Sequence, residues 1–308
     1  MDDISNISVK KDTTFAMLLS AQKRNYQIWT LDTQDIFFKE NKVLGFAKET
    51  SVFDNEKYFF SKKEAQEINL FNMDIVLMRK DPPFNMDYIY TTYLLEKVQQ
   101  NGVLVANNPK ALRDFNEKLS ILNFPNCITN TIVSANTKEI QNFIDLYQKT
   151  ILKPLDGMGG EDIFLIENNN KITNKTIDYL TKNGTQLIMA QKFIPEIAQG
   201  DKRIIIINGT PIPYALARVP QKGSFKGNIA AGGKGVGVKL NKQDYYLCEQ
   251  IAPMLKENGL LFVGLDVIGD FITEINITSP TCIRQLDEIY NLNIADDFFD
   301  VLEQNLTL

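Results

Sequence analysis

The chain has 308 residues, 44% of them hydrophobic, enough for two or three modest cores and so for a multi-lobed globular protein. With 33 basic against 38 acidic residues the formal net charge is −5, which argues against nucleic-acid or anionic-membrane partners but leaves room for a local basic cleft. There is no histidine at all, which removes serine–histidine and cysteine–histidine nucleophiles and most zinc and non-haem iron sites. Carboxylates, lysines, arginines and a hard cation remain, a set suited to phosphoryl and acyl-phosphate chemistry. No apolar run reaches membrane-spanning length and the first residues are acidic and polar, so neither a transmembrane span nor a signal peptide is expected. Cys127, Cys248 and Cys282 lie far apart, a usage that fits a reducing cytoplasm better than a disulfide framework.

In chain order, residues 12–24 read as a helix capped near Thr13 and Thr14, and residues 26–31 as a strand. Residues 36–50 suggest a hairpin turning near Glu40-Asn41-Lys42. An apolar run at 74–78, a helix at 86–100 and a buried strand at 103–106 give the rhythm of a parallel α/β unit. The pattern breaks into short helical pieces over 109–120, where a domain boundary is placed. Beyond it come a helix at 137–149, strands at 151–153 and 163–166, and a polar turn at 168–171. Strands at 186–191 and 202–208 follow, with Asn208-Gly209 as a hairpin signal. A helix at 243–258, a hairpin of 262–268 with 271–277, and a helix at 295–304 close the chain.

The chemistry concentrates after the boundary. Ile151-Leu152-Lys153 is an apolar run that delivers a lysine to the glycine-rich turn Pro154-Leu155-Asp156-Gly157-Met158-Gly159-Gly160, suited to closing on phosphate. No Gly-Lys-Ser/Thr follows, so this is not a Walker A loop. Arg203 and Arg218 stand on neighbouring strands, either as clamps for a substrate carboxylate or as ordinary salt-bridge arginines. Residues 219–235 hold too many glycines for a rigid element and read as a lid, expected to be among the most mobile or least ordered segments without ligands. Asp266, Glu274 and Asn276 share one face of the second hairpin if its connection is odd in length, such as Gly269-Asp270-Phe271. They then form an oxygen donor set for magnesium, the alternative being ordinary surface positions on a half-buried hairpin.

Together with Met78-Arg79-Lys80-Asp81-Pro82-Pro83-Phe84 and Leu112-Arg113-Asp114, these strings resemble the bacterial glutathione synthetases of the ATP-grasp superfamily over nearly the whole chain. The resemblance implies an α/β and α+β architecture: a Rossmann-like N-terminal domain over 1–115 and a two-lobed ATP-grasp domain over 116–308. The lid lobe would span about 120–190 and the core lobe about 191–308. It implies ATP and Mg2+ as cofactors, with Mn2+ as an alternative. Lys118 and Lys153 would contact phosphates beside Gly157, Gly159 and Gly160. Gln191, Lys192, Phe193 and Ile194 would receive adenine, Phe193 also filling core, with Asp201 nearby. Asp266, Glu274 and Asn276 would hold metal. Arg203, Arg218, Lys226, Gly227, Asn228, Ser279, Pro280 and Thr281 would bind substrate, with Lys153 and Arg218 catalytic. Lys226 and Lys234 stand where arginine is expected, which keeps charge but loses bidentate geometry.

The implied reaction joins γ-glutamylcysteine to glycine through an acyl phosphate, in a cytoplasmic homo-oligomer, a tetramer by family resemblance. Another ATP-grasp carboxylate–amine ligase, or a nucleotide-binding regulator on the same scaffold, are the alternatives. Members of that family begin with a short apolar strand leading into a Met-Asp pair. Met1-Asp2-Asp3 matches that pair with no strand ahead of it, so the native polypeptide is expected to start upstream, and a gap is expected beside residues 74–78.

Overall fold

A computed structural model describes residues 1–157, 159–167, 171–221, 227 and 233–306. The N-terminal third opens with α1 (Thr13–Lys23), started by Asp12, whose carboxylate accepts from Phe15 N at 2.6 Å. An antiparallel sheet follows: β1 (Trp29–Thr30), β2 (Ile36–Lys39), β3 (Lys42–Val52), β4 (Phe60–Lys62) and β5 (Gln66–Asn69), all paired on β3. Glu40 and Asn41, both at positive φ, make the two-residue turn from β2 to β3. Of the strand expected over 26–31 only Trp29 and Thr30 form, antiparallel to Glu49 and Lys48. At eleven residues β3 is long enough to take partners on both edges, and it captures this segment. The parallel unit is β6 (Ile75–Leu77), α2 (Met86–Gln100) and β7 (Leu104–Ala106), followed by the short α3 (Pro109–Asp114).

A second lobe carries β8 (Thr131–Ser134), α4 (Thr137–Tyr147), β9 (Lys149–Pro154), β10 (Phe164–Glu167), α5 (Lys171–Thr181) and β11 (Ile188–Lys192). Its antiparallel sheet runs β10-β9-β11-β8, and Ile140, Ile144, Ile177 and Leu180 of the helices close over Leu152, Ile188 and Ala190. Lys171 opens a helix here instead of closing a polar turn, while Asn168, Asn169 and Asn170 lie outside the described residues.

The third lobe holds β12 (Asp201–Ile207), β13 (Thr210–Val219), β14 (Lys234–Lys239), α6 (Lys242–Glu257), β15 (Phe262–Ile268), β16 (Phe271–Asn276), α7 (Ile283–Tyr290) and α8 (Ile294–Leu306). The sheet runs β14-β13-β12-β15-β16, antiparallel throughout. Alternation sorts its faces. Ile204, Ile206, Leu265 and Val267 pack with Leu247 and Ile251 of α6, and Ile205, Ile207 and Phe262 pack with Phe298 of α8. That second face turns polar at Asp201 and Arg203, and there the site is built. Lys234, read as part of the lid, begins β14 opposite Val219.

Among the described residues β6 pairs with β7 alone. Against β6 lies an apolar cavity of about 180 Å³, walled by Thr14 and Met17 of α1, Thr91 and Leu95 of α2, and the segment around Ile28. The Met1 ammonium is buried beside it, donating to Leu31 O at 2.9 Å, and burial pushes its pKa down. An open strand edge beside an apolar slot is costly, since an unpaired buried backbone group and each unfilled apolar contact lower stability. A five-residue apolar strand fused ahead of Met1 is expected to raise the melting temperature by several degrees, each side chain it buries being worth roughly 1.5–3 kcal/mol. An unchanged melting temperature in a thermal scan of the fusion would show that the slot takes no strand.

Candidate active site

The polar end of the third sheet is a ladder of charged cross-strand pairs on one face. Asp201 of β12 stands opposite Arg218 of β13, Arg203 opposite Asp266 of β15, and Asp266 opposite Glu274 of β16. One step along, Gly264 faces Asn276, whose Nδ2 donates to Gly264 O at 3.1 Å. A side chain at Gly264 would run into Arg203 Cδ at 2.9 Å and Pro280 Cβ at 2.8 Å, so glycine makes room for the guanidinium.

The pairing that sets this face differs from the expected one. The connection is the two-residue turn Gly269-Asp270, with Ile268 paired to Phe271, and regular pairing from that turn would set Asp266 and Glu274 on opposite faces. A β-bulge between Asp266 and Val267 inserts Thr273 as the extra residue and restores the register. The bulge also frees backbone for use: Lys153 Nζ donates to Thr273 O at 3.1 Å, and Thr273 Oγ1 donates to Asp266 O at 3.2 Å. The odd-length connection expected from sequence is therefore corrected to a two-residue turn plus a bulge.

Electrostatics concentrate on two aspartates and two arginines, all buried. Asp266 accepts from Arg203 Nε at 2.5 Å on Oδ1 and from Nη2 at 2.9 Å on Oδ2, and Arg218 Nη2 approaches the same Oδ2 to 2.8 Å. Burial opposes its charge, but the two guanidinium groups outweigh burial and hold this carboxyl well below the usual range. Asp201 accepts from Arg218 at 2.5 Å, yet its Oδ1 is buried with no hydrogen-bond partner among the described residues, and burial pushes its pKa up to about 6. Burial likewise lowers Lys153 to about 8, the nearby Glu274 carboxylate limiting the fall. Glu274 lies 3.6 Å from Lys118 Nζ and 3.9 Å from Lys153 Nζ. Lys118 Nζ is tied to Gly157 O at 2.6 Å, which fastens the glycine turn to the charged face.

Two cavities meet here. The first, about 90 Å³, lies between the second and third lobes and has Ile151, Ile163 and Ile268 as apolar walls. Lys153, Gln191, Lys192, Phe193, Ile194 and Asp201 line it as well, and the Ile194 N–H has no hydrogen-bond partner among the described residues. Phe193 N is spent on Lys149 O at 3.0 Å, so its amide is not open to a base. The second cavity, about 330 Å³, is bordered by Arg203, Arg218, Asn276 and the Ser279-Pro280-Thr281 loop, with Gly157 and Gly159 at its rim. Glu274 borders both. Gly227, expected at the acid substrate, lines the first cavity instead, where Arg218 O would clash with a side chain at 2.5 Å. Gly160 borders neither cavity. Lys226 and Asn228, and most of the expected lid, lie outside the described residues.

The oxygen donors suit a small hard cation. Asp266 keeps acceptor capacity beyond its three guanidinium contacts, and among the described residues Glu274 makes no short hydrogen bond and Asn276 commits only its N–H. No group of three or more His, Cys, Asp or Glu side chains gathers as a metal cage among the described residues. Two carboxylates and an amide, completed by phosphate oxygens and water, are what magnesium takes.

The family described as prokaryotic glutathione synthetase, N-terminal domain, matches residues 1–113, and its ATP-grasp domain matches residues 117–291. The chain belongs to that family. It is 48% identical over 303 residues to the glutathione synthetase of Coxiella burnetii, covering 98% of this chain and 94% of the relative. It is 46% identical over 306 residues to that of Shewanella oneidensis, covering 99% and 97%. The fold is shared with solved ATP-grasp ligases of low identity. A RiPP-associated ATP-grasp ligase from Chryseobacterium gregarium superposes with a TM-score of 0.64 at 16% identity, covering 95% of this chain and 94% of that one. The ATP-grasp ligase PsnB superposes with a TM-score of 0.62 at 15% identity, covering 100% and 96%. The enzyme is an ATP-dependent ligase with a two-lobed ATP-grasp fold.

Glu117 escaped the sequence reading. Its buried carboxylate accepts from Ile277 N at 2.8 Å, Thr278 N at 3.0 Å and Thr278 Oγ1 at 2.9 Å, pinning the strand exit that leads to Ser279. The only signal was its place before Lys118.

Two substitutions separate the roles on the charged face. Asp266→Asn should cost roughly 3–5 kcal/mol in denaturant unfolding, because it leaves two buried arginines short of a counter-charge. Glu274→Gln should change stability by under about 1 kcal/mol, since no close ion pair is lost, yet cut turnover severely. Normal turnover in Glu274→Gln would remove Glu274 from the metal set.

Proposed function

We propose that the enzyme ligates γ-glutamylcysteine to glycine with ATP, through an acyl phosphate on the cysteinyl carboxylate, releasing ADP and phosphate. The observation that carries this reading is the junction at Glu274 of an apolar-walled cavity between two lobes with an arginine-lined cavity. A nucleotide seated in the first points its phosphates at Lys118, Lys153 and Glu274. A carboxylate seated in the second meets Arg218. The reacting oxygen and phosphorus are thus brought together by two sites sharing one wall.

In this mechanism Lys153, anchored on Thr273 O, and Lys118, anchored on Gly157 O, neutralise phosphate charge as it develops. Arg218 orients the attacking carboxylate while Asp201 and Asp266 hold its guanidinium in place. Asp266, Glu274 and Asn276 would hold magnesium, or manganese in its stead, which would supply charge neutralisation for the phosphates. Glycine then attacks the acyl phosphate, and no covalent enzyme intermediate is required. Adenine is received at Gln191 to Ile194, through backbone groups such as the Ile194 N–H. Ser279, Pro280, Thr281, Gly227, Lys226 and Asn228 complete the substrate and closure residues of this reading.

We further place the domain division at 115/116, and the enzyme in the cytoplasm as a homo-oligomer, a tetramer by family resemblance. The three cysteines are free and buried, in keeping with a reducing compartment, and no helix among the described residues is long and apolar enough to cross a membrane. Phosphate release measured with ATP and γ-glutamylcysteine should depend on added glycine, with alanine and D-alanine slower. Release driven equally by D-alanine, or by an unrelated acid in place of the dipeptide, would assign the enzyme to another ligase activity.

A further inference from the structure

Besides the arginines, the second cavity is lined by Ser8, Lys11 and Asp12 ahead of α1 and by Gln285 in the first turn of α7. None of these residues belongs to the charged ladder, and the two sets differ in polarity. Arg203 and Arg218 call for a carboxylate. The wall from α1 and α7 offers oxygen acceptors.

Gln285 Oε1 is buried and has no hydrogen-bond partner among the described residues. A desolvated acceptor without a donor is a defect unless a ligand supplies the donor. Asp12 is a carboxylate in the same wall whose Oδ1 caps α1 through Phe15 N. Burial raises its pKa, the Phe15 N–H and the more distant Arg79 guanidinium offsetting this only in part, and it forms no ion pair within 4.0 Å among the described residues. An arriving cation would relieve both groups at once. Lys11 lines the same cavity and forms no ion pair among the described residues. The wall from α1 and α7 therefore presents one cation with two acceptors, the complement of an amino-acid zwitterion.

Resting on the ligase reading above, we propose that Asp12 and Gln285 seat the α-ammonium group of the γ-glutamyl residue, with Lys11 facing its α-carboxylate. The dipeptide then lies along the cavity with its cysteinyl carboxylate at Arg218 and its amino-acid end between α1 and α7. Specificity for the γ-glutamyl group comes from a part of the protein that takes no part in phosphoryl transfer. A donor-for-acceptor match of this kind discriminates strongly, because the analogue lacking the donor leaves buried acceptors unpaired.

The test compares γ-glutamylcysteine with glutaryl-cysteine, which lacks only the amine, by ADP release at saturating ATP and glycine. In the unaltered enzyme, omission of the amine should lower kcat/KM by about 30-fold or more. Asp12→Asn keeps a side-chain oxygen for the helix cap, and Gln285→Met keeps side-chain length. In each variant KM for γ-glutamylcysteine should rise about tenfold while KM for ATP stays put, and the penalty for omitting the amine should shrink to below about fivefold. A loss that falls equally on both dipeptides, or an undiminished penalty in both variants, would overturn the assignment. An unaltered enzyme active on another acid but inert with γ-glutamylcysteine would overturn the ligase reading itself, and this site with it.

Discussion

One backbone irregularity organises the chemistry: the bulge that makes Thr273 the odd residue between β15 and β16. Side chains on a strand alternate, so a slip of one residue exchanges the two faces. Without the bulge, the turn at Gly269-Asp270 would carry Glu274 and Asn276 away from Asp266 and into the packing against α6. With it, two carboxylates and an amide share a face with Arg203 and Arg218. The displaced Thr273 carbonyl becomes the anchor for Lys153, which arrives from the other lobe. The register of one hairpin therefore decides both the metal donors and the seat of a phosphate-binding lysine.

Around that register Asp201, Asp266, Arg203 and Arg218 serve as one another's counter-ions, and the catalytic groups keep spare capacity. Asp266 carries three guanidinium contacts and still has lone pairs to give, which makes it a structural keystone as well as a donor. Glu274, partly open and held only at longer range by Lys118 and Lys153, is the adaptable member. Desolvation depresses Lys153 and raises Asp201, so both wait in an environment that favours an incoming polyanion and its cation over the empty state. Building these groups on strands, rather than on loops, fixes their spacing before substrate arrives.

Much of this was legible in the residues. The apolar run before Lys153 and the glycines after it told of a strand feeding a phosphate turn, and the Asn208-Gly209 pair told of the β12–β13 hairpin. Arg203 and Arg218 were legible as residues of neighbouring strands, while the turn of Lys202 to Asp244 of α6 on the opposite face was not. What stayed hidden depended on long-range closure. The bulge leaves no mark in composition, since Thr273 suits a regular strand equally well. β8 is paired to β11 across more than fifty residues, β14 hides at the end of a glycine-rich stretch, and the polar Lys171-to-Thr181 helix carries its apolar face too sparsely to stand out. Gln285 and Asp12 sit far apart in sequence and line one cavity because α1 packs beside α7.

The most direct test of this account is insertion of one alanine between Thr273 and Glu274, with phosphate release and thermal unfolding measured on the same preparation. The added residue takes the place opposite Asp266 and moves Glu274 and Asn276 one position along the strand, to the other face. The variant should still unfold in a cooperative transition, at a lower temperature, and phosphate release with ATP, γ-glutamylcysteine and glycine should fall to background. A folded insertion variant that turns over at the parental rate would contradict the claim that this register assembles the site.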